Sequence, residues 1–342
     1  MTQKKKNQVT IHDIARELNT TASTVSRALQ GHPRISESTK KAVKELAKKW
    51  KYQPNIVASN LRKGKSNTIG VIVPHINRYF FSSVIAGIEE VANKAGYNII
   101  ICQTYEKYDK ECSNVKILLN SRVDGILASL AKETKTYEHF EMIKEMGIPL
   151  IFFDRVINEM EVSKVILDDF AGAFKAVEHL INCGSKKIAH FAGPTHVSIY
   201  KNRLEGYLEA LKKHKLKTGK ELIFQDTLAK ESGYEAVNMM IENKNLPDAI
   251  FSASDFSALG AILSLKSHKI KVPGEVAVVG FANEPYTTIM EPALSSVEQH
   301  AEEIGQVSAK LIFEEFKSKG ESFSPKKIII NPDLKIRESS MK

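Results

Sequence analysis

Short apolar runs alternate with amphipathic stretches along most of the chain, from residue 67 onward. Runs such as 68–73, 97–103 and 149–153 have the length of buried strands, and the stretches between them carry apolar residues at helical spacing. This alternation predicts parallel sheets with helices on both faces, which is an α/β fold. Because the pattern continues for roughly 270 residues, more than one ordinary domain, we expect two doubly wound lobes.

The first 53 residues follow a different pattern, in which apolar residues recur at helical spacing in three short segments. Each segment begins at a residue that suits a helix N-cap, namely Thr10, Thr21 and Ser36. Three short helices with a tight turn between the first two predict a small all-α helix-turn-helix domain. A plain three-helix bundle without a ligand is the alternative.

Residues 54–66 join these two regions and have the composition of a short helix that runs into a basic linker. So short a helix is marginal alone and needs a partner to be stable. Leu61 at its end is either an ordinary exposed leucine or a wedge for the minor groove of DNA. We therefore expect a helix-turn-helix domain at 1–53, a hinge helix and linker at 54–66, and a core at 67–342, with lobe 1 at 67–166 plus 298–326 and lobe 2 at 167–297 plus 327–342.

Positive charge is concentrated ahead of the core. Residues 1–66 hold 15 Lys and Arg against 4 Asp and Glu, whereas residues 67–342 hold 34 against 36. A basic excess confined to a small domain suits a polyanion, because each neutralised phosphate releases a condensed counterion. Arg27, on the outward face of the second predicted helix, suits guanine or a phosphate. On charge alone, a basic solvated face is the alternative.

Several classes of protein find no support in the sequence. The three cysteines, Cys102, Cys112 and Cys183, have no paired short spacing, which argues for a reducing compartment and against a metal site. No apolar segment follows the basic N-terminus, and no apolar run approaches the ~20 residues that span a bilayer. No phosphate-binding glycine motif, metal-ligand spacing or catalytic constellation occurs. We expect a cytoplasmic protein that has no enzymatic activity, uses no metal or cofactor and binds no membrane.

Polar residues follow several of the predicted strands. Asp154 and Arg155, Asp255, and Asn283 each come soon after one of the apolar runs. Ligands of open α/β sheets bind beyond the carboxyl ends of strands, where Asp and Asn suit polyol hydroxyls and Arg suits an acidic group. For each residue a helix cap or an internal ion pair is the competing interpretation.

Four segments near the N-terminus closely resemble the LacI/GalR family of bacterial repressors, at residues 9–15, 23–29, 52–55 and 58–61. The resemblance implies that Thr21, Ser26 and Tyr52 contact phosphates and that Leu61 intercalates between bases. It also implies that Ala22, Ser23 and Arg27 of the second helix face bases. The full set of expected DNA-binding residues is Thr10, Thr21, Ala22, Ser23, Ser26, Arg27, Tyr52, Asn55, Ala58, Ser59 and Leu61.

The core is similar to the sensor core of the same family, which itself is similar to periplasmic sugar-binding proteins. The matching segments are 69–74, 124–126, 149–155, 192–194, 203–207 and 292–297. The resemblance adds two aromatic residues and a second arginine to the polar residues at the strand ends. The expected effector-binding set is Phe80, Phe81, Asp154, Arg155, Arg203, Asp255 and Asn283.

One departure from the family concerns the end of a predicted strand. Many sugar-responsive members carry Gly-Tyr-Asp-Asp or Gly-Phe-Asp-Asp where this chain has Gly280-Phe281-Ala282-Asn283. The acid that would clamp an effector hydroxyl or amine is therefore replaced by Ala282. With Arg155 and Arg203 in a less negative pocket, the sequence favours an acidic sugar or a phosphorylated metabolite.

The resemblance implies a sequence-specific transcription regulator, a repressor, that binds double-stranded pseudo-palindromic operator DNA as a homodimer. A small sugar or sugar derivative in the cleft of the core would control operator binding, in a direction that the sequence leaves open. Two other classes share such a core. A secreted binding protein requires an export signal and has no use for the basic head, and an α/β enzyme acting on a sugar requires a catalytic constellation.

Overall fold

The computed structural model describes residues 9–52, 65–217, 219–318 and 323–342. The chain divides into two compact units, Met1–Ser66 and Asn67–Lys342, which we call the head and the core. Within the described residues, no helix has both the length and the apolar character needed to cross a membrane.

The described part of the head contains three helices, α1 (Ile11–Glu17), α2 (Ala22–Leu29) and α3 (Glu37–Lys49). Their starts confirm the sequence prediction, because the side-chain oxygens of Thr10, Thr21 and Ser36 each accept a hydrogen bond from the backbone N–H three residues later. Apolar residues on the facing sides of the helices form one small core, whose buried members are Ile14, Ala15, Val25, Ala28 and Val43.

The core begins with five strands and three helices that form most of its first lobe. They are β1 (Thr68–Val73), α4 (Tyr79–Lys94), β2 (Asn98–Gln103), α5 (Tyr108–Asn120), β3 (Gly125–Ala128), α6 (Glu138–Glu145), β4 (Leu150–Phe153) and β5 (Ser163–Leu167). The chain then crosses to the second lobe and forms α7 (Asp169–Asn182), β6 (Ile188–Phe191), α8 (Ser198–Lys213), β7 (Ile223–Phe224), α9 (Lys230–Glu242), β8 (Ala249–Ser252), α10 (Asp255–Ser267), β9 (Ala277–Ala282) and β10 (Ser295–Glu298).

The chain crosses between the lobes twice more before it ends. Helix α11 (Ala301–Lys317) and strand β11 (Lys327–Ile330) return to the first lobe, and β12 (Asp333–Lys335) belongs to the second. Three short 3-10 helices complete the described core, at Lys220–Leu222, Pro285–Thr288 and Glu338–Ser340.

Each lobe contains one six-stranded sheet, with strand order β11-β5-β4-β3-β1-β2 in the first and β12-β10-β9-β8-β6-β7 in the second. All neighbouring strands run parallel except β12, which is antiparallel to β10. Apolar clusters lie on both faces of each sheet. The two doubly wound parallel sheets confirm the α/β fold expected from the alternating pattern.

One expected lobe boundary needs correction. All of 327–342 was expected in lobe 2, but β11 in this range pairs with β5 in the sheet of lobe 1. The last crossing therefore falls after Ile330, between β11 and β12. The sequence pattern identifies an apolar strand here, but which of two sheet edges it joins depends on contacts with residues about 160 positions earlier, such as Ile328 opposite Val165.

Helices α4 and α11 pack tightly against each other on lobe 1. A Cβ atom added at Gly305 of α11 would lie 2.1 Å from the carbonyl oxygen of Val84 in α4. Glycine is therefore needed here, since it lets the two backbones approach more closely than any side chain allows. This pair matters for the site described below, because α4 begins beside the cleft between the lobes.

Candidate functional site

Helix α2 of the head presents a polar outer surface. Ser23 and Arg27 are exposed, Ser26 is half-buried, and Ala22 is half-buried against the small head core. Among the described residues the Arg27 guanidinium has no hydrogen-bond or ion-pair partner, so its donors are available. A short helix with small side chains beside a free arginine is suited to close approach into the major groove.

Two threonines of the predicted DNA-binding set already make hydrogen bonds within the head. The Thr10 hydroxyl donates to the Asp13 carboxylate at 2.7 Å. The hydroxyls of Thr21 and Ser23 share a hydrogen bond of 2.8 Å. Donation from the Thr10 hydroxyl and backbone N–H lowers the pKa of Asp13. Both threonines are exposed cap residues, so their hydroxyls lie at the surface and at helix N-termini, where anions are favoured.

The remaining predicted DNA-binding residues divide into two groups. Tyr52 is half-buried and packs against the head core, so its ring position is set by this packing. Asn55, Ala58, Ser59 and Leu61 lie outside the described residues.

A cavity of about 560 Å³ lies between the two lobes of the core. Loops at the carboxyl ends of strands from both sheets line it, as the strand-end argument predicts. Six of the seven predicted effector residues border the cavity, namely Phe80, Phe81, Asp154, Arg155, Arg203 and Asp255. The volume is in the range of small-molecule sites.

Arg155 is fixed by a carboxylate that the sequence analysis did not identify. Its Nη1 atom lies 2.7 Å from Oε2 of Glu106, which follows β2, whereas its Nε atom is 3.9 Å from Oδ2 of Asp154. The Nε atom itself is buried and has no hydrogen-bond partner within the described residues. The main ion pair of Arg155 is therefore with Glu106, and the neighbouring Asp154 is only loosely engaged.

Asp154 is a buried carboxylate at the wall of the cavity. The Ser129 hydroxyl donates to its Oδ2 atom at 3.1 Å. Burial raises the pKa of Asp154, although Arg155 and Arg203 act in the opposite direction. Its backbone has a φ of +60°, which is uncommon for a residue with a side chain. A buried acid with little internal hydrogen bonding suits a ligand that supplies a donor.

Arg203 of α8 is fully engaged on the opposite side. Its Nε and Nη2 atoms lie 2.8 and 2.7 Å from Oδ1 of Asp169, and its Nη1 atom donates to the carbonyl oxygen of Ala253 at 2.8 Å. The guanidinium also lies 3.7 Å above the ring of Phe281. Arg203 and Asp169 are 4% and 2% exposed, so this ion pair first of all organises the cavity wall.

Asp255 connects α10 to β10 and to the segment that follows β9. It accepts hydrogen bonds from the Ser296 hydroxyl at 2.6 Å and from the Glu284 backbone N–H at 2.8 Å. Ser254, and not Asp255, caps α10. Gly280 permits this arrangement, because a Cβ atom there would lie 2.0 Å from Oδ1 of Asp255. Burial raises the pKa of Asp255 to about 6, against these hydrogen bonds.

The prediction for Asn283 is corrected by the structure. Its amide nitrogen donates to Glu298 at 2.6 Å and its amide oxygen accepts from Arg337 at 2.6 Å, so its side chain ties strand ends together. Asn283 does not line the cavity, whereas Glu284 does. The physical reason is the backbone. Ala282 and Asn283 have φ values of +132° and +51°, and the resulting turn brings the next residue, Glu284, to the cavity in place of Asn283.

Several other residues that border the cavity were not predicted from the sequence. They include Arg78, Glu106, Tyr200, Phe256, Glu284 and Gln299. Gln299 follows β10 directly and Glu106 lies three residues after the end of β2, so the strand-end rule applied to every strand would have found them. Arg155 and Arg203 are already paired with Glu106 and Asp169, which argues against the expected acidic ligand, and Glu284 adds an acid to the lining two residues after Ala282.

A three-helix head with an exposed helix-turn-helix surface, carried in one chain with a two-lobed core around a ligand-sized cavity, defines a ligand-responsive DNA-binding regulator. Comparison with known proteins identifies the particular family. The sequence model described as "Periplasmic binding proteins and sugar binding domain of LacI family" matches residues 66–338, and that of "Bacterial regulatory proteins, lacI family" matches residues 10–55. The chain belongs to the LacI family of DNA-binding transcription regulators.

Three relatives illustrate the similarity. Catabolite control protein A of Priestia megaterium is 34% identical over 305 residues, which cover 89% of this chain and 91% of the relative. The transcriptional regulator CelR in complex with cellobiose is 27% identical, with a TM-score of 0.73 and coverage of 97% and 99%. The lac repressor dimer bound to operator and the anti-inducer ONPF has the same fold, with a TM-score of 0.88, 22% identity and coverage of 98% and 100%.

Proposed function

We propose that this chain is a repressor that binds a pseudo-palindromic operator as a homodimer and that a sugar or sugar derivative in the core cavity controls its operator affinity. The observation that carries the proposal is the cavity itself, which is walled by aromatic rings and by buried acids that lack a full set of internal donors. Such a wall suits the C–H faces and the hydroxyl donors of a sugar. The cellobiose complex of the relative CelR supports this class of ligand.

In the head, we assign base contacts to Ala22, Ser23 and Arg27. The exposure of Ser23 and Arg27 supports the assignment, and Ala22 beside them offers a methyl group for apolar contact. Thr21, Ser26 and Tyr52 serve as phosphate contacts by family resemblance. The hydroxyls of Thr10 and Thr21 are exposed at the N-termini of α1 and α2, where an anion is favoured. Asn55, Ala58, Ser59 and Leu61 complete the proposed DNA-binding set by family resemblance.

The homodimer is supported by apolar side chains exposed on both lobes. Ile101 on the edge strand β2 is 43% exposed, Ile117 on the neighbouring α5 is 49% exposed, and Ile289 of lobe 2 is 83% exposed. Large apolar side chains left at a surface commonly mark an interface. The lac repressor in its operator complex is a dimer, and a two-fold operator needs two heads.

We further propose that the protein acts by binding and without catalysis, and that it works in the cytoplasm, where operator DNA lies. The cavity groups support the first point, because Arg203 and Asp255 are held in several fixed contacts each. The test is prolonged incubation of the protein with the sugar, followed by chromatography of the mixture. Conversion of the sugar to a product would contradict a role without catalysis.

The direct test uses the full-length chain in two assays. DNA fragments selected from a random pool should contain an inverted repeat, and affinity for it should fall with salt by about 0.9 log units per log unit for each phosphate neutralised. A salt-independent affinity contradicts the DNA-binding proposal. Thermal unfolding in the presence of sugars should shift upward, because a ligand at 100 times its dissociation constant adds about 2.7 kcal/mol. The same sugar must change operator affinity in one direction or the other.

A further inference from the structure

Glu284 is the acid in the cavity whose environment least resembles that of an ordinary structural carboxylate. The residue is 7% exposed and lines the cavity. Its backbone is held by hydrogen bonds to Asp255 and Thr287, yet its carboxylate receives no hydrogen bond and makes no ion pair with any described residue. Burial and the nearby Asp255 carboxyl raise the pKa of Glu284 to about 7, against the charge of Arg78. The carboxylate therefore faces the cavity as an acceptor that a ligand donor can reach.

Both buried arginines of the cavity wall are already paired with carboxylates. Arg155 pairs with Glu106 and Arg203 with Asp169, so Asp154, Asp255 and Glu284 are further carboxyl groups of the wall. The remaining cations that line the cavity are Lys107, which pairs with Glu133, Lys132 and Arg78. Next to Glu284 and Asp255 an anionic ligand group is therefore disfavoured, and a cationic group is favoured.

Arg78 is the cation that acts on Glu284 through space, but it does not satisfy the carboxylate. Arg78 belongs to lobe 1, is exposed, and its guanidinium carbon lies 4.1 Å from the centre of the Phe256 ring in lobe 2. This cation–π contact holds the guanidinium over the ring. The Glu284 carboxylate thus remains available to a ligand group.

The backbone before Glu284 is strained in a way that aims this residue at the cavity. Ala282 has a φ of +132°, a region that is unfavourable for a residue with a Cβ atom, and Asn283 follows with a φ of +51°. Outliers such as Ala282 cluster at ligand sites. With Ala282 in place of the family's acid, the strained turn brings a carboxylate into the cavity two residues later.

We propose that Glu284 is a specificity-determining residue that binds a positively charged amino group, so that the effector is an aminated sugar. This inference deepens the proposed function and rests on it. The ammonium of the effector pairs with Glu284, and hydroxyl groups of the same molecule donate to Asp154 on the opposite wall. The Phe80 and Phe256 rings, which border the same cavity, supply apolar surface for the sugar ring.

The test compares matched sugars on the full-length protein at neutral pH. Glucosamine and its β-1,4-linked dimer are the aminated probes, glucose and cellobiose are their neutral counterparts, and glucuronate is the anionic one. Calorimetry and thermal unfolding should show tighter binding of an aminated probe than of its neutral counterpart and the weakest response to glucuronate. Glu284→Gln should weaken the aminated probe by about tenfold to a hundredfold, since a charge-assisted hydrogen bond is lost, and should change the neutral one by less than about threefold.

Glu291→Gln is the matched control, because it removes the same charge from an exposed residue seven positions later. It should leave all affinities unchanged. The proposal is overturned if no aminated probe binds at millimolar concentration, if the neutral or anionic sugar binds as well, or if Glu284→Gln weakens neutral and aminated probes equally. Operator affinity separates this result from the proposed function. A neutral sugar that alters operator binding while aminated sugars do not would refute the role of Glu284 and leave a sugar-responsive regulator.

Discussion

The head and the core expose their functional residues in opposite ways. In the head, Ser23 and Arg27 lie on the outer surface of one eight-residue helix and make few or no contacts with the rest of the described chain. In the core, Arg203 and Asp255 are buried and each is bound by residues from distant parts of the chain. A head residue can therefore change DNA affinity with little effect on folding, whereas a core residue affects stability and ligand binding together.

The largest expected effect is the loss of the buried arginine in the core. Arg203→Ala leaves Asp169 buried without its partner, and we expect a loss of about 3–5 kcal/mol in the free energy of unfolding. Urea denaturation measures this loss. Lys213→Ala on the same helix is the control, since Lys213 pairs with Glu178 at 2.8 Å in an exposed ion pair and should contribute less than about 1 kcal/mol. Equal effects of the two substitutions would contradict a structural role for Arg203. Because of this structural role, a loss of the sugar response in Arg203→Ala must be accompanied by a measurement that the variant is folded.

The next effect is the pH dependence of core stability. Glu284 and Asp255 have pKa values raised by burial to about 7 and about 6, so the folded core binds their protons more tightly than the unfolded chain does. Raising the pH through the interval between the unfolded and folded pKa values therefore destabilises the core. We expect a loss on the order of 2 kcal/mol between about pH 5 and pH 8.

Urea denaturation as a function of pH checks this expectation on wild type and Glu284→Gln. The variant should lose less stability over the same interval, because its amide does not ionise. A pH dependence that is identical in the two proteins would show that Glu284 keeps an ordinary pKa. A saturating concentration of an effector that pairs with Glu284 should also flatten the wild-type dependence.

A smaller effect is expected for the cap of the DNA-facing helix. Thr21→Ala removes the hydroxyl that accepts from the Thr24 backbone N–H at 3.2 Å, and we expect a loss of about 1 kcal/mol in head stability. Amide hydrogen exchange of the α2 backbone measures it. Thr20→Ala is the neighbouring control, since its hydroxyl makes no hydrogen bond within the described residues. If both substitutions increase exchange equally, the cap does not stabilise α2.

The smallest effect on stability, with a large effect on function, is expected for the exposed arginine of the head. Arg27→Ala should change the free energy of unfolding by less than about 0.5 kcal/mol and weaken operator binding by roughly tenfold to a hundredfold. Fluorescence anisotropy with a labelled operator measures the affinity. Arg27→Lys keeps the charge and loses the bidentate geometry. If lysine restores full affinity, Arg27 contacts a phosphate and reads no base.

Local features of the sequence were sufficient for the head. The caps at Thr10, Thr21 and Ser36 and the apolar spacing between them predicted all three described helices, because both depend on residues only three or four positions apart. In the core, the alternation of strands and helices predicted the two doubly wound sheets. It also placed Asp154, Arg155 and Asp255 at strand ends, since the carboxyl ends of parallel strands meet at a common edge.

The sequence by itself determined the elements, the fold class, the basic head and most of the residues that meet in the cavity. Only the tertiary structure decided which partners they have. Arg155 pairs with Glu106, 49 positions earlier, and Arg203 with Asp169, 34 positions earlier. It also decided that Glu284, and not Asn283, faces the cavity, because two residues with positive φ turn the chain at the end of β9. Side-chain periodicity depends on neighbours along the chain, whereas ion pairing and backbone strain depend on how distant segments pack.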